Sequence, residues 1–243
     1  MKKHIPNLIT SMNAVSGTLA IFFAIYGHLS VAAYLILLAM VFDFFDGMTA
    51  RLLNVKSEMG KELDSLADIV SFGVAPAVLA HFLMLKVLPG YSMDCFAEWS
   101  VFEKIMVFTP VLIPAFSAYR LAKFNIDTRQ TYSFIGMPTP ANALFWVGLV
   151  LGSVYASDLY NIFFAHFAVL GLSAFILSIL LVSEIPMFSL KITGFSWKEN
   201  KVRYCYFAFL LVAIAVGGMA VLFLVIPFYL LFSLFDCFTP KDR

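Results

Sequence analysis

Residues 43–68 read DFFDGMTARLLNVKSEMGKELDSLAD, and the chain on either side is apolar: SVAAYLILLAMVF over 30–42 and IVSFGVAPAVLAHFLML over 69–85. Four aspartates, Asp43, Asp46, Asp64 and Asp68, therefore stand near the ends of two helices apolar enough for a bilayer. A carboxylate carried deeper into hydrocarbon costs roughly 3 kcal/mol or more, so residues of this kind are usually functional and rarely unpaired. Asp43, Asp46, Gly47 and Ala50 fall at i, i+3, i+4 and i+7, one stripe of the first helix. Gly60, Asp64 and Asp68 fall at i, i+4 and i+8, one stripe of the second. The intervening loop returns the chain, so both acidic stripes can face one cavity.

Four carboxylates cannot all remain ionised in such a place without cations. Arg51 and Lys61 are too few to neutralise them and stand at the edge. Ligation by oxygen alone suits a hard divalent metal, Mg²⁺, Mn²⁺ or Ca²⁺. Carboxylates at this density fit two ions better than one. Gly47, Ala50 and Gly60 remove bulk beside the acids and leave room for a flat or phosphate-bearing ligand. Alone, these small residues would serve close helix packing equally well.

Outward from this stretch the composition fixes the class. Of 243 residues 62% are apolar and 13% charged, and the mean hydropathy is +0.92. No soluble core absorbs such an excess. The expected fold is all-α, a polytopic membrane helical bundle of about eight transmembrane helices, since continuous helices satisfy every backbone amide within lipid. The spans are expected near 8–26, 30–50, 62–85, 102–122, 140–156, 160–182, 203–217 and 219–236. The last two are separated at Gly217-Gly218, because one helix over 204–236 would greatly exceed a hydrocarbon core of roughly 30 Å. With the N-terminus in the cytoplasm, all 16 basic residues except Lys86 and Lys104 fall on the cytoplasmic side, as the positive-inside rule requires. The polar stretch 183–203, with Trp197, is expected as a cytoplasmic loop at headgroup level.

One domain, 1–243, is expected, with a catalytic core over about 5–145 and C-terminal helices over about 160–236. The start of the chain lacks a cleavable signal pattern. The net charge of +1 marks no acidic partner, and no nucleic acid is expected. Cys95, Cys205 and Cys237 lack disulfide or metal spacing and read as packing residues, and His28, His81 and His166 are isolated.

The pattern D-x2-D-G-x2-A-R-x8-G-x3-D-x3-D is matched without a gap by Asp43, Asp46, Gly47, Ala50, Arg51, Gly60, Asp64 and Asp68. It resembles the defining motif of the CDP-alcohol phosphotransferase family. The resemblance implies a membrane helical bundle, usually a homodimer, with a two-metal site opening to the cytoplasmic face of the inner membrane. It also implies that Asp43, Asp46, Asp64 and Asp68 bind the metals and that Asp68 is the general base. Gly47, Arg51 and Ser57 would contact the CDP moiety of the lipid, with Ala50 and Gly60 lining its site. Pro6-Asn7 followed by Thr10 resembles the family's PN-x-x-T start, which would bring Asn7 to the nucleotide.

The motif is silent on the acceptor. RLAKFN (120–125) and FIGMPTPANA (134–143) resemble the corresponding segments of the small, multi-span phosphatidylserine synthases of bacteria and archaea, with Lys123 in place of an arginine and Asn142 in place of an alanine. The resemblance therefore implies CDP-diacylglycerol and serine as substrates. Arg120 and Lys123, at i and i+3, with Asn125 beyond, are the candidate acceptor-binding residues, able to hold a carboxylate or a phosphate. The same residues would serve as ordinary flanking charge. Relatives that use glycerol 3-phosphate or an inositol phosphate would also need a basic pocket, so the two segments, not the charges, favour serine. A rival of another class is a divalent-cation transporter or channel. It would need acids at mid-membrane depth on several helices, and spans five to eight offer almost none.

Overall fold

The computed structural model describes residues 4–55, 57–90, 93–126, 134–187, 204, 206, 208–213, 215 and 222–238. Helix α1 (His4–Ile25) is followed by α2 (Leu29–Leu52). The third span is one unbroken rod: α3 (Glu58–Asp68), a π-helical turn (Ile69–Val74) and α4 (Ala75–Val87). The fourth joins α5 (Val101–Phe108) to α6 (Leu112–Ile126) through a 3₁₀ turn at Thr109–Val111, where Pro110 has no amide to donate. Then come β1 (Phe134–Ile135), α7 (Thr139–Tyr155), α8 (Ser157–Phe163), α9 (Phe167–Val182), β2 (Pro186–Met187) and α10 (Leu222–Phe238). Residues among 204–215 are also helical.

Four of these rods are long and apolar enough to span a bilayer: His4–Ile25, Leu29–Leu52, Glu58–Val87 and Val101–Ile126. A fifth span is broken. Residues 160–182, expected as one helix, are split between α8 and α9, which meet at 79°. The break is written locally: His166 takes an extended backbone, and its ring accepts the Ala168 amide at 3.2 Å to cap α9. Thr139–Tyr155 and Leu224–Ser233 are shorter apolar helices. The described residues therefore support a multi-pass all-α bundle without establishing eight spans. The Gly217-Gly218 break, the 188–203 part of the polar loop, Cys205, and the basic residues Lys2, Lys3, Lys56, Arg129, Lys191, Lys198, Lys201, Arg203, Lys241 and Arg243 lie outside the described residues.

Lipid does not drive apolar helices together by excluding water, so close packing must do so. On α1 the buried Ala20 and Ala24 share the core with Ala32, Ala33, Ile36 and Ala39 of α2. Small side chains let the two backbones approach, while Phe22, Phe44 and Phe45 point outward. The core centre is α4 and α7, where Leu79, Ala80, Met84, Trp146 and Leu149 are fully buried. At the open end of α9, β1 and β2 form a two-residue antiparallel pair, Phe134 opposite Met187 and Ile135 opposite Pro186. Gly136, at φ +74°, follows directly. A β-carbon there would meet the carbonyl oxygens of Leu181 and Ser183 at 2.8 Å, so this turn requires glycine. Its amide donates to Ile185 O (3.0 Å), which ties the start of α7 to the end of α9.

Candidate active site

The two acidic stripes meet as their spacing predicts. Carboxylate oxygens of Asp43 on α2 and of Asp64 and Asp68 on α3 lie within 4.8 Å of one another. Asp46, one turn on from Asp43, is buried beside Thr10 of α1. Asp46 Oδ2 and Asp64 Oδ1 are buried and have no hydrogen-bond partner among the described residues. Among the described residues the one ion pair is Lys123–Glu184 at 3.2 Å, so none of the four aspartates has a basic side chain in contact. Carboxylates this close without a basic partner repel one another, and the hydrogen bonds that Thr10 gives Asp46 and Asn13 gives Asp68 offset this only in part. The donor set is all oxygen, closely grouped and without a basic partner among the described residues, and fits divalent cations.

Beside the carboxylates opens a cavity of about 520 Å³, lined by Asn7 and Thr10 of α1, Asp46, Gly47 and Ala50 of α2, and Ser57, Gly60, Lys61 and Asp64 around the start of α3. Ser57 caps α3, its hydroxyl accepting the Gly60 amide at 3.0 Å. Gly47 presents bare backbone to the cavity, with nothing within 4 Å of where a β-carbon would stand. Gly60 is the opposite case, since a β-carbon would lie 2.9 Å from Ser57 Oγ and 3.2 Å from Asn7 Oδ1. Of the residues expected to hold the CDP group, Asn7, Gly47, Ala50, Ser57 and Gly60 share this cavity. Arg51 is exposed, and its Nε donates to Gly47 O at 3.0 Å within its own helix.

The candidate acceptor residues separate. Arg120 is buried in α6, with Nε unpartnered, and lies within electrostatic reach of Asp68 and of Tyr229 on α10. Lys123 instead pairs with the exposed Glu184. Asn125 joins α6 to α3: its carbonyl accepts from Lys61 Nζ at 2.7 Å, and its side chain donates to Ser65 Oγ at 2.9 Å.

Sequence reasoning missed the buried polar face of α1 beyond Thr10. Asn13 is fully buried and donates from Nδ2 to Asp68 Oδ1 at 3.3 Å. Its carbonyl accepts from Ser71 Oγ at 3.0 Å. The available signal was spacing: Asn7, Thr10, Asn13 and Gly17 fall close to one face of an otherwise apolar helix, and Ser71 stands three residues after Asp68. Lys61 and Glu58 also line the cavity, though neither was expected to bind the CDP group.

A family model described as CDP-alcohol phosphatidyltransferase matches residues 3–180. A CDP-diacylglycerol–serine O-phosphatidyltransferase of Bacillus subtilis (strain 168) is 38% identical over 175 residues, covering 72% of this chain and 87% of that protein. One from Helicobacter pylori (strain ATCC 700392 / 26695) is 37% identical over 183 residues, covering 74% and 70%. An archaetidylserine synthase of Methanothermobacter thermautotrophicus is 33% identical over 177 residues, covering 72% and 67%.

Proposed function

The chain belongs to the CDP-alcohol phosphatidyltransferase family, and from that premise we propose that it is a CDP-diacylglycerol–serine O-phosphatidyltransferase, making phosphatidylserine and CMP. The observation that carries the reading is the carboxylate cluster of Asp43, Asp64 and Asp68, without a basic partner among the described residues, beside a cavity that Gly47 helps to line.

Asp43, Asp46, Asp64 and Asp68 would hold two divalent cations, Mg²⁺ or Mn²⁺ with Ca²⁺ as a further candidate. When bound, these ions neutralise the pyrophosphate and the charge developing on the CMP phosphate. The diacyl chains stay in the bilayer while the nucleotide enters the cavity between α1, α2 and the start of α3. Ser57 and Asn7 offer it polar atoms, and the bare backbone at Gly47 admits it closely. Arg51, at the exposed edge, swings from Gly47 O to the CDP phosphates. Serine enters from the α6 side, where the buried guanidinium of Arg120 receives its carboxylate, with Lys123 and Asn125 further along the same helix. Asp68 accepts the proton of the serine hydroxyl as that oxygen attacks the lipid-side phosphorus. The new P–O bond forms as the bond to the CMP phosphate breaks, in one in-line displacement. On this reading the N-terminus and cavity face the cytoplasm, supported by the distribution of basic residues, and the enzyme works as a homodimer.

Membranes containing the protein, given CDP-diacylglycerol, Mn²⁺ or Mg²⁺ and labelled serine, should release CMP and form labelled lipid. No CMP release with any alcohol would reject the transferase reading. Release with glycerol 3-phosphate but not with serine would reject the acceptor alone.

A further inference from the structure

Asp68 has to present its carboxylate in one orientation to both its neighbours and the attacking hydroxyl. The chain leaves the α-helical ladder directly after it, with a π-helical turn beginning at Ile69. Such π turns inside α-helices are rare and often stand at functional sites. Support for the carboxylate comes from α1. Asn13 is fully buried and donates to Asp68 Oδ1, and Ser71, inside the π turn, donates to the Asn13 carbonyl. The two helices are in backbone contact at this point. A β-carbon on Gly17 would overlap the Ser71 side chain and stand 2.7 Å from Ser71 Cα. Gly17 therefore sets the distance at which the Asn13 amide reaches Asp68.

We infer that Asn13 is a positioning residue for the transfer, fixing the plane of the Asp68 carboxylate through the Asn13–Asp68–Ser71 junction of α1 with the π turn. With no exposed surface, Asn13 acts through Asp68 and not on substrate. An ionised carboxylate only accepts, so the amide nitrogen must face it, and the orientation of Asn13 follows from its partner. The inference rests on the proposed function for the role of Asp68 as base.

The test compares Asn13→Leu, which keeps the branched shape and removes the donor, with Asn13→Ala, which removes the donor and relaxes the packing. In detergent, both are expected to lower kcat 10- to 100-fold with KM for CDP-diacylglycerol within about threefold of the parent, in the range of losses seen for residues that support a metal ligand. Both are also expected to weaken Mn²⁺ binding by 10-fold or more, read by electron paramagnetic resonance without turnover. Variants that lose thermal stability but keep kcat and Mn²⁺ affinity per folded molecule would overturn the inference. Failure of both variants to fold would overturn it too, making Asn13 a folding residue. Absence of CMP release by the parent enzyme would instead reject the proposed function, and the Mn²⁺ measurement would still report on the junction.

Discussion

Gly47→Ala separates the cavity from the fold. Gly47 lies inside α2, is exposed, and has nothing within 4 Å of where a β-carbon would project. The backbone there is helical and the added methyl meets no protein atom, so the substitution should strengthen the helix by roughly 0.8–1 kcal/mol. For a chain of this size that corresponds to a rise of about 2–4 °C in Tm. The same methyl stands in the 520 Å³ cavity, where the nucleotide would approach bare backbone. Forcing one methyl into a close contact costs about 1–3 kcal/mol, or roughly 5- to 150-fold in affinity. The expected outcome is a raised Tm in detergent together with a raised KM for CDP-diacylglycerol, and an unchanged KM for serine. CMP release measured against CDP-diacylglycerol at saturating serine, beside a thermal unfolding curve, reads all three. An unchanged KM for CDP-diacylglycerol would refute the assignment of this cavity to the nucleotide. A lowered Tm would show that Gly47 is a packing residue, with its face covered by protein.

Asp68→Asn should abolish turnover almost completely while CDP-lipid binding persists; substantial turnover in this variant would remove Asp68 as the base. Arg120→Gln should raise KM for serine at least 10-fold with little change for CDP-diacylglycerol, and a KM shift confined to the lipid would move Arg120 to the donor side. Gly17→Ala should destabilise the protein by about 1–3 kcal/mol, because the added carbon has only Ser71 backbone and side chain to displace; an unchanged unfolding temperature would refute the close approach of α1 to the π turn. Treatment with EDTA should stop CMP release, and excess Mn²⁺ or Mg²⁺ should restore it. Activity that persists through chelation would exclude the four aspartates as metal ligands.

What the sequence determined by itself is whatever depends on local periodicity. Composition dictates helices in lipid, and a rise of 3.6 residues per turn puts Asp43 with Asp46 and Gly60 with Asp64 and Asp68 on two stripes. A short return between them leaves those stripes little choice but to face each other, and they do so within 4.8 Å for Asp43, Asp64 and Asp68. The broken span between α8 and α9 was also written locally, in the cap at His166, but apolar composition across 160–182 concealed it. Tertiary structure alone decided which other polar groups join the aspartates. Asn13 meets Asp68 across 55 residues, and Asn125 meets Ser65 across 60. Arg120 and Lys123, one helical turn apart, diverge to a buried place near Asp68 and an exposed pair with Glu184. No periodicity distinguishes a polar residue on an apolar helix that faces a partner from one that faces a neighbour's backbone. That choice depends on how closely helices approach, which Gly17 permits and only the packed bundle realises.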